Sequence, residues 1–147
     1  LKRSALSRYD LLFVIAGASL GKVAIMDENL LPANTNQAMA FLRFNDTQMR
    51  VQRLIWYVLQ SDVVKTYISL YAVQSAQPNI SMGNLGNMRI PYSSDMDEQQ
   101  EIVEYLDSKC AAIDTLISKK QQFIDELTAY KKSLIYEYVT GKKEVPA

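Results

Sequence analysis

The sequence predicts an α+β chain, a small mixed α/β domain followed by a long C-terminal coiled-coil helix. Three observations carry this. The first 94 residues break into short apolar runs separated by Gly, Asn, Asp and Pro. Pro91, in Ile90-Pro91-Tyr92-Ser93-Ser94, closes that pattern. No Pro or Gly then occurs from Met96 to Thr140, while apolar residues recur at helical spacing. The predicted organisation is a mixed domain over 1–94, a helical assembly region over 95–141 and a tail over 142–147.

The front domain is expected to open with a buried strand over residues 11–16, turn at 17–21, and resume as a strand over 22–26. Asp27-Glu28-Asn29 closes that hairpin. Residues 37–43 alternate imperfectly and predict a third strand. Asn45 or Asp46 can cap a helix running to Gln60, burying Leu54, Ile55, Val58 and Leu59. Ser61 or Asp62 can cap a second helix with Val64, Ile68 and Tyr71 inward. Residues 77–81, Gly83 and Gly86 read as loop, and Met88-Arg89-Ile90 as a short strand stopped by Pro91.

The back helix has its own logic. Asp95 or Asp97 can cap it, and Glu98, Glu101 and Glu104 suit its positive end. The stripe runs through Leu106, Cys110, Ile113, Ile117, Ile124, Leu127, Leu134 and Tyr138, with Lys120 and Lys131 in the two remaining seam places. Leu116, Phe123 and Tyr130 widen it, and Gly141 supplies the stop. A helix of about 43 residues extends on the order of 65 Å. A stripe that long is matched by another long helix, parallel or antiparallel, with two lysines fixing register. A helix lying across its own domain is the other reading of the same stripe.

Composition removes several function classes. The chain of 147 residues has no histidine and one cysteine, Cys110. Ser-His-Asp and Cys-His chemistry and the common zinc sites are thereby excluded. A lone cysteine fits a reducing cytoplasm rather than a disulfide framework. No apolar run reaches membrane-spanning length and no signal peptide is expected. A chain opening on Leu1 is expected to be a fragment, a processed product or an incompletely recorded chain. Formal charge is zero overall, but residues 1–94 carry nine Lys/Arg against five Asp/Glu, a net of +4, and the remainder carries −4. That split suggests two kinds of partner.

Ala16-Gly17-Ala18-Ser19-Leu20-Gly21-Lys22 approaches a phosphate-binding loop, with Val23 where the magnesium-binding hydroxyl belongs. Such a loop leads into a helix. Residues 22–26 lead instead to Asp27-Glu28-Asn29, so the segment is expected to be a hairpin turn presenting Ser19 and Lys22 at a surface. Nucleotide hydrolysis is set aside, and neither a cofactor nor a metal site is expected.

Asp10-Leu11-Leu12 followed by Gly17-Ala18-Ser19-Leu20-Gly21-Lys22 resembles the "GD-aliphatic … G-x-x-G-K" segment of type I restriction–modification specificity subunits. Asn34-Thr35-Asn36-Gln37 is similar to that family's N-Q element. Gln77-Pro78-Asn79-Ile80-Ser81, Leu85 and Ile90-Pro91 resemble its "Q-x-N-I-S … L … I-P" passage. Glu98-Gln99, Ile102, Leu106, Ile113-Asp114 and Ile117 resemble the opening of its long helix, and Val139-Thr140-Gly141-Lys142 its end. Tyr9 departs from the pattern, standing where the family usually has glycine. The proline-rich link before Glu98 is also shortened. The resemblance implies the distal part of a target recognition domain that starts upstream of Leu1, plus one conserved coiled-coil region.

It further implies a non-catalytic cytoplasmic subunit that reads half of a split double-stranded DNA target. Its helix would meet a second specificity half, within one chain or as a homodimer, and methyltransferase and restriction subunits would dock there. The assembled enzyme would methylate adenine with S-adenosylmethionine bound elsewhere. DNA reading needs cations for phosphates and amides or guanidiniums for base edges. The candidates are Lys2, Arg3, Arg8, Ser19, Lys22, Asn34, Asn36, Gln37, Gln74, Gln77, Asn79, Asn84 and Arg89. The competing reading of each Asn and Gln is loop and turn chemistry, and Asn36-Gln37 above all can brace a loop. Arg50, Arg53 and Lys65 read as solvated helix faces, and Trp56, Tyr67 and Tyr71 as core. The rival function class is a helical assembly module with no direct DNA contact.

Overall fold

The computed structural model describes residues 4–44, 49–73 and 75–146. Within them run β1 (Leu11–Val14), β2 (Val23–Ile25), β3 (Met39–Leu42), α1 (Met49–Leu59), α2 (Asp62–Tyr71), α3 (Met82–Gly86) and α4 (Met96–Val139). The expected α+β class is therefore the observed one. The chain divides into two compact units, Leu1–Val103 and Glu104–Ala147.

In the first unit the three strands form one antiparallel sheet in the order β2-β1-β3. Phe13 faces Val23 on one side and Ala40 on the other, and Val14 faces Met39. Alternation decides which side chains turn inward. Leu11 and Phe13 are completely buried, while Leu12 and Val14 are half-buried. The inward set joins Ala40, Ile55, Leu59, Val64, Ala72, Ile80 and Leu85 in one core. From α1, Leu54, Ile55 and Leu59 are buried and Val58 half-buried, as the stripe predicts. The expected Asn45 or Asp46 cap lies outside the described residues. A 3-10 turn, Glu28–Leu30, follows β2, with the Asp27 carboxylate accepting from the Asn29 amide at 2.9 Å.

Three expectations about local structure need correction. Tyr71 was expected inward on α2 but is 51% exposed. The inward row is Val64, Ile68 and Ala72, a strict i, i+4 series, and Tyr71 stacks on Tyr67 at 4.3 Å instead. Gly83 and Gly86 read as loop but lie within α3. The Ser81 hydroxyl accepts from the Asn84 amide at 3.0 Å, and this cap holds the turn despite Gly83 and Gly86. Residues 88–90 form no strand: Met88 N donates to Leu85 O at 3.3 Å, and Met88 and Ile90 pack against the core without a ladder partner. Trp56 and Tyr67 pack on the core as expected.

α4 begins as its acidic start predicts. The Asp95 carboxylate accepts from the amides of Asp97 and Glu98 at 2.8 and 3.2 Å. Ser93 donates to the Glu98 carboxylate and accepts from Asp95 N. Gln99 is fully buried, its amide donating to Ser93 O at 2.7 Å, and Val103 is buried one turn on. These first turns belong to the first unit.

The second unit is helix to Val139. Gly141, at φ 71°, ends it, with Lys142 N donating to Glu137 O at 2.8 Å. Lys143 lies 2.7 Å from the Glu137 carboxylate, a hydrogen bond that raises the lysine's pKa. Along the predicted seam Ile113, Ile117, Ile124 and Leu127 are all at least half exposed. Leu116, Phe123 and Tyr130 are exposed beside them.

Candidate nucleic-acid interface

The C-terminal end of β1 is where separate parts of the first unit meet. Because β1 is antiparallel to both neighbours, its last residues adjoin the starts of β2 and β3. Val14 N accordingly donates to Lys22 O at 2.9 Å, and Ile15 N to Ala38 O at 2.9 Å. A third segment joins from after α2. Ala16 forms a β-bridge with Asn79, Gly17 N donates to Pro78 O at 2.9 Å, and Ile80 N donates to Ile15 O at 2.9 Å. Backbone hydrogen bonds thus bring residues 16–22, 36–38 and 77–80 to one rim.

The glycine-rich turn is shaped for this placement. Gly17 and Gly21 have φ of 89° and 84°, a region that costs other residues about 1 kcal/mol or more. Gly21 is also pressed against α2, where a Cβ would meet Ile68 Cδ1 at 2.9 Å. Lys22 leads directly into β2, so no helix N-terminus faces the turn. The segment is a strand-turn-strand hairpin, as its sequence predicts.

On this rim Lys22, Gln37 and Gln77 are exposed, and their side chains make no hydrogen bond or ion pair among the described residues. Ser19 is half-buried beside them. The asparagines behave differently. Asn36 Oδ1 accepts from Ala38 N at 3.0 Å, an Asx turn that leads into β3. Asn79 contributes chiefly its backbone, bridging both Ala16 and Val73.

The remaining candidates lie elsewhere or are engaged. Asn34 bridges Ala5 and accepts from the Ser4 hydroxyl at 3.2 Å. Asn84 donates from Nδ2 to Tyr71 O at 3.3 Å and accepts the Tyr67 hydroxyl on its carbonyl at 2.9 Å. Arg8 precedes β1, at the other end of the strand, and is 2.9 Å from the Glu28 carboxylate. Arg89 is exposed after α3, with no side-chain partner among the described residues. Lys2, Arg3 and Gln74 lie outside the described residues.

One group without an assigned role in the sequence reading proves central to the fold. Asp10 is 1% exposed. Its carboxylate accepts from Arg43 Nε at 2.7 Å, Arg43 Nη2 at 2.5 Å and Ser7 N at 2.7 Å. The hydrogen bond to Asp10 raises the Arg43 pKa. Arg43 Nη2 also donates to Ala5 O at 3.1 Å. The carboxylate is fully engaged and ties the stretch before β1 to Arg43 after β3. The available signal was its place beside Tyr9 in the first motif.

Comparison with known proteins bears on the family and the fold. A family model for the type I restriction modification DNA specificity domain matches residues 7–126. The chain is 24% identical over 142 residues to the type I restriction enzyme EcoBI specificity subunit of Escherichia coli, covering 96% of this chain and 29% of that protein. It is also similar in fold to the crystal structure of the type I restriction–modification system S subunit from M. genitalium. There the TM-score is 0.59 and the identity 21%, over 85% of this chain and 33% of the other. The chain therefore spans about a third or less of the relatives it matches.

Proposed function

Since this chain belongs to the family of type I restriction modification DNA specificity domains, we propose that it recognises half of a split DNA target within a type I restriction–modification enzyme and performs no catalysis itself. The observation that carries the reading is the rim at the end of β1. Three chain segments are fixed there by backbone bonds, and a lysine and two glutamines are left exposed without side-chain partners among the described residues. Lysine suits a phosphate and the side-chain amides suit base edges. Residues 1–94 would serve for reading, with Lys2, Arg3, Gln74 and Arg89 as further candidate contacts.

In this reading residues 95–141 serve for assembly. The exposed apolar seam meets the helix of a second specificity half, in the same polypeptide or in a second copy. The charge pattern favours antiparallel pairing. Residues 95–107 carry six carboxylates and no Lys/Arg, whereas residues 119–143 carry six lysines against three carboxylates. Methyltransferase and restriction subunits dock on the paired helices in the cytoplasm, and adenine methylation is theirs. No helix among the described residues is long and apolar enough to cross a membrane.

The exposed seam also favours a second reading, a helical assembly module that never touches DNA. Two variants of the whole chain separate the readings. Lys22→Glu should weaken binding to a labelled duplex and flatten its salt dependence, while self-association by light scattering stays intact. Ile117→Asp with Ile124→Asp should abolish self-association. Intact self-association with no duplex binding by the wild type would favour the assembly-only module, and unchanged binding and salt response in Lys22→Glu would remove Lys22 from the DNA contact.

A further inference from the structure

We infer that Gln37 and Gln77 are the base-reading residues of this rim and that they select adenine in A·T pairs, with Lys22 holding an adjacent phosphate. The inference rests on the DNA-recognition reading above and adds to it the chemical class of the target.

The first ground is availability. Base reading through the major groove needs side chains that are exposed, fixed at their backbone and not already hydrogen-bonded. Gln37 is one residue from Ala38, whose carbonyl accepts from Ile15 N at 2.9 Å. Gln77 is one residue from Pro78, whose carbonyl accepts from Gly17 N at 2.9 Å. Both glutamines are exposed with free side-chain amides among the described residues. The rim asparagines are spent locally: Asn36 Oδ1 caps its own turn, and Asn79 Nδ2 reaches the Gln77 carbonyl at 3.5 Å.

The second ground is complementarity. A glutamine amide offers one donor and one acceptor, which match adenine N7 and N6 together. Guanine presents two acceptors to the major groove and suits the arginine fork; cytosine presents a donor and suits a carboxylate. Residues 16–22, 36–38 and 75–79 contain no Arg, Asp or Glu. The rim thus has the side chains for adenine and lacks the arginine and carboxylate that suit the other bases. Lys22 supplies a flexible point charge, appropriate to a phosphate oxygen.

The test is selection of a randomised double-stranded DNA library by the whole chain. It is run on wild type, Gln37→Ala, Gln77→Ala, and the near-isosteric Gln37→Glu and Gln77→Glu. A motif rich in A·T pairs is expected for wild type. Each alanine variant should lose preference at one A·T position by about ten-fold, with other positions unchanged. Each glutamate variant should move that position toward C·G, because its carboxylate accepts from cytosine N4. Circular dichroism confirms that every variant is folded. If wild type selects a motif and all four variants select the same one, the glutamine assignment is overturned while DNA recognition stands. If folded wild type selects no motif, DNA recognition by this chain falls, and the glutamine assignment with it.

Discussion

The two ends of β1 carry similar numbers of polar side chains and use them in opposite ways. At the N-terminal end they pair with one another: Arg8 with Glu28, and Arg43 with the buried Asp10. At the C-terminal end the backbone makes the connections, and Lys22, Gln37 and Gln77 remain unpartnered among the described residues. The contrast teaches that a cation's presence in a positively charged domain says little about binding. What separates Arg8 from Lys22 is whether a neighbouring carboxylate already neutralises it.

The comparison breaks most sharply at Asp10. Asp10→Ala leaves the Ser7 amide and the Arg43 fork without their acceptor, and unfolding free energy should fall by about 2–3 kcal/mol. The shift in urea midpoint measures it. An unchanged midpoint would mean the N-terminal end is not held together by this carboxylate.

Gly21→Ala should cost about 2 kcal/mol, combining the φ of 84° with the 2.9 Å approach to Ile68 Cδ1. Gly17→Ala, with open space around its Cβ, should show only the backbone part, about 1 kcal/mol. Adding Ile68→Val removes Cδ1 and should bring the Gly21 variant toward the Gly17 one. Thermal melts of the three variants check the ordering.

A smaller effect is expected in DNA binding. Neutralising Lys22 as Lys22→Gln should lower the slope of log affinity against log salt by about one. Arg8→Gln should leave it nearly unchanged, because Glu28 already sits 2.9 Å away. Equal losses at both positions would erase the distinction between the two ends. The smallest effect belongs to Tyr9, whose φ of 66° lies in the left-handed region. Tyr9→Gly removes that strain, about 1 kcal/mol, but also the Arg8 guanidinium packed 4.3 Å over the ring. A net stabilisation of about 0.5 kcal/mol should be measurable by denaturant titration.

Much of this molecule was legible in its residues. The hairpin around Gly17 and Gly21, the stripe of α1 and the span of α4 follow from periodicity and punctuation, which are local properties. Tyr9 stands where the resemblance places a glycine, and its φ of 66° is a region that glycine adopts more readily than tyrosine. What escaped depends on packing between distant segments. Tyr71 and Ala72 are neighbours at the end of the α2 stripe, and only packing against the core selects Ala72. The Asp10–Arg43 pair joins positions 33 residues apart, which no window of sequence reveals. Asn36 and Gln37 read alike, as base contacts or as loop braces, and the Asx turn shows that Asn36 is the brace.

Main-chain hydrogen bonds, braced by the side chains of Asn36 and Ser75, position residues 16–22, 36–38 and 77–80. The outward groups at Lys22, Gln37 and Gln77 therefore add little to stability, and exchanging them should alter it by no more than about 0.5 kcal/mol. A scaffold wired this way tolerates new chemistry at its exposed rim positions without refolding, so those side chains are free to change while the hairpin and its neighbouring loops stay as they are.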